Sequence, residues 1–219
     1  MMPRNVEHAL KLIDEAENQQ ADFIEVRLDL LKRCEKLVDI ANSASTPLIA
    51  TNRPTWCSGK FTGPETERKN MLLHACQSGF EYVDVEVEAS WLREAIKQLK
   101  ESGAKPIVSF HDFEKTPEKA VLQQILEKEI SNEADVCKIV TTARSLMDNL
   151  TLLSFLWEEK EKAKIVCFAM GPHGKPSRIL SPIFGGYFTI AALKRGEETA
   201  PGQMTLQEMK TAYKALGEL

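Results

Sequence analysis

The sequence predicts an α/β fold, a single (β/α)8 barrel of the TIM type with its first strand short or missing. Three observations lead there. Segments that suit strands are separated by segments with helical spacing and recur at roughly 23 to 35 residues, as parallel βαβ units do. Several strand segments carry ionisable residues at alternate positions: Glu25, Arg27, Asp84, Glu86, His111 and Lys138. An open sheet covered by helices on both faces reads instead as continuous apolar runs, whereas a barrel with a wet C-terminal mouth houses such groups. Finally, the 219 residues are slightly short of the ~250 typical of one such barrel, so 1–219 is expected to be a single domain.

The elements follow in order. Residues 1–4 stand where the first strand belongs, too few to form it. Asn5 caps a helix whose apolar positions Val6, Ala9, Leu10, Ile13 and Ala16 recur at helical spacing. In residues 22–29, Ile24, Val26 and Leu28 alternate with Glu25, Arg27 and Asp29, giving a strand with two unlike faces. A helix over 31–44, a strand over 47–52, a glycine-containing loop over 53–63 and a helix over 66–77 come next. The strand at 81–87 puts its valines on one face and Asp84 and Glu86 on the other. A helix over 91–101 closed by Gly103 precedes the strand 106–111, and Thr116 and Pro117 read as the N-cap and first residue of a further helix. Strands at 135–141, 164–170 and 185–192 complete a count of seven. A helix over 146–160 lies between the first two, and a Gly/Pro-rich turn follows the second. Thr205 and Glu208 have the spacing of a capping box and start the last helix.

Composition excludes several classes of function. A net charge of −4, with 28 basic against 32 acidic side chains and no long run of either sign, argues against a nucleic-acid partner or a polybasic membrane patch. The five cysteines are widely spaced without a C-x-x-C pair, which suggests neither a disulfide framework nor a zinc site. No apolar run approaches the ~18 residues of a membrane span and the first twenty residues lack a signal-peptide core, so a cytoplasmic protein is expected.

The chemistry centres on Lys138. It interrupts an otherwise apolar strand, and a buried ammonium costs several kcal/mol unless it is paired, loses its proton or opens into a cavity. An interior salt bridge is one reading. The other is a Schiff-base lysine, because a desolvated amine is partly neutral and attacks ketones. In a parallel barrel the C-terminal strand ends meet, so Glu86, His111 and Lys138 would converge as carboxylate, base and amine across neighbouring strands; taken singly, His111 also reads as a satisfied strand-end histidine and Glu86 as the partner of an interior arginine.

Short motifs then give the chain a family. Glu25-Val-Arg27-Leu-Asp29, Thr51-Asn-Arg53, Val83-Asp-Val-Glu86, Ser109-Phe-His111, Val136-Cys-Lys138, Gly174-Lys-Pro-Ser-Arg178 and Ala200-Pro-Gly-Gln203 are each weak alone. In this order and spacing, over nearly the whole chain, the sequence resembles the type I 3-dehydroquinate dehydratases of the shikimate pathway of aromatic amino acid biosynthesis. The resemblance implies a lyase that removes water from 3-dehydroquinate. It makes Lys138 the Schiff-base lysine, His111 the general acid and base, and Glu86 the group that orients the histidine. Glu25, Arg27, Arg53, Arg178, Thr199 and Gln203 would hold the substrate's hydroxyls and carboxylate. It further implies no metal, no organic cofactor and a homodimer.

The chain departs from the family pattern in places. Cys57, Ser58 and Gly59 stand where the family usually has two adjacent glycines, Thr199 where it commonly has serine, and Ile190 where an aromatic is frequent. Two other readings share parts of this pattern. A class I aldolase has the lysine but cleaves a carbon–carbon bond, and a catalytically dead barrel kept for binding would have lost Lys138 or His111.

Overall fold

In a computed structural model the described residues are 1–31 and 36–217, and they fall into two compact units, Met1–Ile107 and Val108–Leu219. Six strands hydrogen-bond in chain order.

The first unit opens with helix α1 (Val6–Asn18), capped as expected by the Asn5 side chain, which accepts from His8 N at 2.8 Å. Strand β1 (Ile24–Arg27) pairs in parallel with β2 (Leu48–Thr51), and β2 with β3 (Tyr82–Glu86). Between them run α2 (Leu37–Asn42) and α3 (Glu65–Gln77), and α4 (Leu92–Glu101) follows β3. Residues 32–35, the start of the helix expected over 31–44 and the site of Cys34, lie outside the described residues. Where the first strand was expected, Met1 bonds to the sheet without forming a strand: its amine donates to Glu25 O, and Arg27 N donates to Met1 O at 3.3 Å. Strand β4 (Lys105–His111) enters beside β3 through Lys105 N to Glu81 O at 2.8 Å and ends in the second unit.

In the second unit, β5 (Val136–Thr142) pairs in parallel with β6 (Ile165–Met170). Their odd-numbered apolar residues, among them Cys137, Ile139, Ile165 and Cys167, form a core with Leu122 and Leu126 of α5 (Lys119–Ser131) and Leu152, Phe155 and Leu156 of α6 (Met147–Glu159). Period two therefore sends Val136, Lys138, Val140, Val166, Phe168 and Met170 to the other face.

Three expectations need correction. Residues 185–192 form no strand, only an isolated bridge from Ala192 to Thr205, so six strands rather than seven are present among the described residues. Gly185 has φ +97°, and Gly186 packs so tightly on Ser181 that a Cβ would lie 2.4 Å from its Oγ, so the segment begins as a turn. The helix α5 starts at Lys119 after Glu118, not at Pro117, because the Thr116 hydroxyl is engaged with Thr141 Oγ at 2.8 Å and Thr142 O at 3.1 Å. The Gly/Pro-rich turn after β6 contains a short helix, α7 (Lys175–Leu180), with Pro176 in its first turn, where no N–H is needed. The last helix, α8 (Leu206–Ala215), has the expected capping box in full.

Candidate active site

The C-terminal end of β2 leads into Asn52 and Arg53, both buried. The Arg53 guanidinium reaches Asp84 Oδ1 at 2.8 Å and Glu86 Oε1 at 2.7 Å, the two acidic residues of the polar face of β3. Burial works to lower the Arg53 pKa, but the two carboxylates outweigh it and raise it. The other oxygen of Glu86 accepts from Arg68 Nη1 of α3 at 2.5 Å. Arg68 is fully buried, donates as well to Asn52 O at 3.2 Å and to Glu65, and lies 4.7 Å over the Trp91 ring and 5.8 Å from that of Trp56. Two guanidiniums thus hold one carboxylate by its two oxygens.

The loop beyond Arg53 folds back on it. Phe61 N donates to Arg53 O at 3.1 Å, and a Cβ on Gly59 would lie 1.9 Å from that oxygen, so only glycine fits there. Ser58 takes the left-handed conformation, φ +56°, which glycine adopts without strain. Cys57 is buried here, and desolvation, opposed by Arg53, pushes its thiol up to about 11. Two further expected residues lie at β1. Glu25 Oε1 accepts from Thr51 Oγ at 2.8 Å, and Arg27 spends its fork on Asp29, at 2.8 and 2.7 Å.

The second unit gathers a different set. Lys138 is only 4% exposed and sits opposite Val166 in the β5–β6 register. Phe168, two residues further along the same face, lies under the Arg178 guanidinium, whose carbon is 4.5 Å from the ring centroid. From strand spacing and rise, the Lys138 and Phe168 backbones are about 8 Å apart. The bond from Asp112 N to Val140 O sets Asp112 opposite Thr141, hence His111 opposite Val140 and on the Lys138 face. The His111 ring stacks on Phe113, with centroids 5.8 Å apart and planes 10° from parallel.

Arg178 differs from every arginine above. It is 2% exposed and has no carboxylate partner among the described residues. Its one hydrogen bond there, from Nη1 to Ile190 O, is long at 3.4 Å, and its buried Nε has no acceptor. Desolvation lowers its pKa to about 10, so it stays cationic at neutral pH at the cost of its hydration. Ser177, beside it, fixes α7 by accepting from Ala169 N at 3.0 Å and donating to Gly174 O at 2.8 Å. Gln203 Oε1 accepts from Thr199 N at 2.7 Å and Thr199 Oγ at 3.2 Å, which joins two expected ligand residues in one loop. That loop rests on Gly171, whose N–H donates to Pro201 O at 2.9 Å, and a Cβ on Gly202 (φ +78°) would lie 2.1 Å from Gly171 O.

The structure therefore joins Arg53 with Glu86, Thr199 with Gln203, and Lys138, His111 and Arg178 on one sheet face with its covering helix. Sequence reasoning missed Arg68, Glu65, Trp91 and the pairing role of Asp84. Asp84 had a visible signal in its alternation with the valines. Arg68 had none, since Glu65-Thr-Glu-Arg68-Lys69 reads as a solvated helix face.

A parallel α/β sheet with a buried amine on one face, and a buried, carboxylate-free guanidinium of α7 packed on Phe168 of that face, can hold an anionic group beside a nucleophile. The family model described as type I 3-dehydroquinase matches residues 1–219. A 3-dehydroquinate dehydratase of Dehalococcoides mccartyi is 40% identical over 199 residues, covering 91% of this chain and 88% of the relative. One of Methanocaldococcus jannaschii is 36% identical over 214 residues, covering 97% and 94%. Among solved structures, the type I enzyme of Clostridium difficile, with covalent modified comenic acid, superposes with TM-score 0.90 at 25% identity, covering 98% of this chain and 89% of that one. The chain belongs to the type I 3-dehydroquinase family and is a lyase. Among the described residues no group of three or more His, Cys, Asp or Glu could hold a metal ion, and no helix is long and apolar enough to cross a membrane.

Proposed function

We propose that this chain converts 3-dehydroquinate to 3-dehydroshikimate through a Schiff base at Lys138, as a cytoplasmic homodimer serving the shikimate pathway. The observation that carries the reading is the shared face of the second unit, where a buried lysine and a buried arginine with no carboxylate of its own flank Phe168. The substrate is a ketone with one carboxylate, and the ketone suits attack by the amine while the carboxylate suits the guanidinium. The full-length likeness to type I enzymes supports a closed (β/α)8 barrel over 1–219 as one catalytic domain. The covalent modification named for the C. difficile relative supports a nucleophile in the site.

Elimination needs a proton removed from the carbon beside the ketone and a hydroxyl expelled from the next carbon. Condensation of the Lys138 amine with the ketone releases water and gives an iminium, which takes up the electron pair left by the proton. His111 removes that proton and returns it to the departing hydroxyl, which leaves as water, and hydrolysis of the iminium frees the enone and the amine. Arg178 binds the carboxylate with its planar fork. Arg53, Glu25, Arg27, Thr199 and Gln203 meet the hydroxyls, the last two from the loop seated on Gly171. For Glu86 the two ion pairs support a positioning role, and its orienting of His111 rests on the family resemblance alone. No step calls for a metal or organic cofactor.

The test is direct. Incubation with 3-dehydroquinate should raise the ultraviolet absorbance of the conjugated enone. Carbon–carbon cleavage products in place of that absorbance would mean an aldolase, and neither product would mean a binding protein.

A further inference from the structure

We propose that Arg68 is a positioning residue that keeps the Arg53 guanidinium available to an anionic or hydroxylated substrate by holding back Glu86. The inference rests on the reading above, in which Arg53 meets substrate. It deepens that reading by adding a residue which touches neither the substrate nor the reacting atoms.

Arg53 faces two carboxylates, Asp84 at 2.8 Å and Glu86 at 2.7 Å, so each further N–H that a carboxylate engages is one that a substrate can no longer meet. Arg68 limits this by taking the second oxygen of Glu86 at 2.5 Å. A carboxylate shared between two guanidiniums presents one oxygen to each. Without Arg68, Glu86 can turn both oxygens onto Arg53 in the fork-to-fork pairing that arginine prefers. The same Nη1 donates to Asn52 O at 3.2 Å, and Asn52 is the residue from which the chain enters Arg53. Arg68 therefore fixes Arg53 at its backbone and at its charge partner together.

Arg68 is in turn held from several sides. Glu65 accepts from Nε at 3.0 Å and from Nη2 at 2.7 Å, and Trp91 donates Nε1–H to the same carboxylate at 2.8 Å. The Trp91 ring lies 4.7 Å from the guanidinium carbon. Burial pushes the Glu65 carboxyl up, but its bonds from Arg68 and Trp91 prevail and hold it below its usual value, so it is a charged anchor at neutral pH. A plane that donates to acceptors in three directions and lies against a ring face is something a lysine cannot reproduce.

The experiment compares wild type, Arg68→Lys, Arg68→Met, Glu86→Gln and the double variant Arg68→Met with Glu86→Gln in turnover of 3-dehydroquinate, with the folded fraction measured by circular dichroism. Absence of turnover in wild type would refute the reading of function and this proposal with it, whereas normal turnover with an unchanged KM in Arg53→Lys would overturn this proposal alone, since Arg68 would then serve no group that meets substrate. With both in place, Arg68→Met should raise KM about 10- to 100-fold with kcat within about threefold, and Arg68→Lys should recover only part of the loss. Removing the Glu86 charge as well should cancel the part of the effect that runs through Glu86, so the double variant should raise KM by less than the product of the two single effects. Three further results would overturn the proposal: a lowered melting temperature with unchanged KM in the folded fraction, a fall in kcat at constant KM, or losses that simply add in the double variant. Should Arg68→Met fail to fold, Arg68→Lys decides the matter, since its KM must rise several-fold for the proposal to stand.

Discussion

The buried arginines of the two units are in opposite conditions. Arg53 and Arg68 are surrounded by Asp84, Glu86 and Glu65, with donors and acceptors matched within 2.5 to 3.2 Å, whereas Arg178 has an aromatic ring beneath it and one long bond to a carbonyl. A satisfied buried ion network gains little over an apolar replacement but costs several kcal/mol when one partner is removed. A buried cation without a carboxylate costs stability all the time and is relieved only when an anion arrives. The first arrangement holds a site in shape, and the second awaits a ligand. Burial alone distinguishes neither, because all three side chains are hidden from water.

The contrast is broken most sharply at Arg178. Arg178→Met should lower kcat/KM by ~10² to 10⁴-fold, the loss of a bidentate charged pair, while leaving the melting temperature unchanged or raised. Steady-state kinetics beside thermal unfolding checks both halves. An unchanged kcat/KM would move the carboxylate to another cation, with Lys175 or Arg53 next in line.

Asp84→Ala should do the reverse in kind. It leaves Arg53 buried with one carboxylate fewer, a loss of ~3–5 kcal/mol, and so a fall in melting temperature of roughly 10 °C. Calorimetry measures this, and a fall of only a degree or two would mean that water reaches Arg53 and replaces the carboxylate.

The smallest effect sits away from both arginine groups, at the start of α8. Glu208 accepts from the Thr205 backbone and from Arg195, and these bonds hold its carboxyl down at about 2. A depressed carboxyl contributes stability above its unfolded value, near 4.5, and loses it as pH falls through the folded value. Wild type should therefore be slightly more stable than Glu208→Gln at pH 7, with the difference shrinking from about pH 4.5 downward and gone below about pH 2. A difference independent of pH would assign the effect to the helix rather than to the charge.

The legible and illegible parts of the chain divide along the same physical line. Period-two alternation and the caps at Asn5 and Thr205 were readable, because each is written within a few neighbouring residues: Ile24 with Val26, Asp84 with Glu86, Asn5 with His8, Thr205 with Glu208; the cap read at Thr116 failed because its hydroxyl bonds to Thr141 and Thr142, distant in sequence. Lys138 was readable because a cation inside an apolar strand is conspicuous from the strand alone. The segment 185–192 was misread because its apolar residues match a strand, while its conformation is set by Gly186 closing on Ser181, a contact that period two does not encode. Helix α7 was hidden by prolines and glycines that read as a turn until Pro176 is seen to lie in the first helical turn. Arg68 was invisible because what buries it, the Trp91 ring and Glu86, lies 18 or more positions further along the chain.

The central claim is a covalent bond between Lys138 and the substrate, and trapping it is the most direct test. Borohydride added during turnover of 3-dehydroquinate should reduce the iminium and fix the substrate's mass on a single peptide, the one containing Lys138, with parallel loss of activity. Lys138→Ala should remain folded, lose nearly all turnover and take up no label. Label on another lysine, or full turnover with no label at all, would contradict the Schiff-base mechanism.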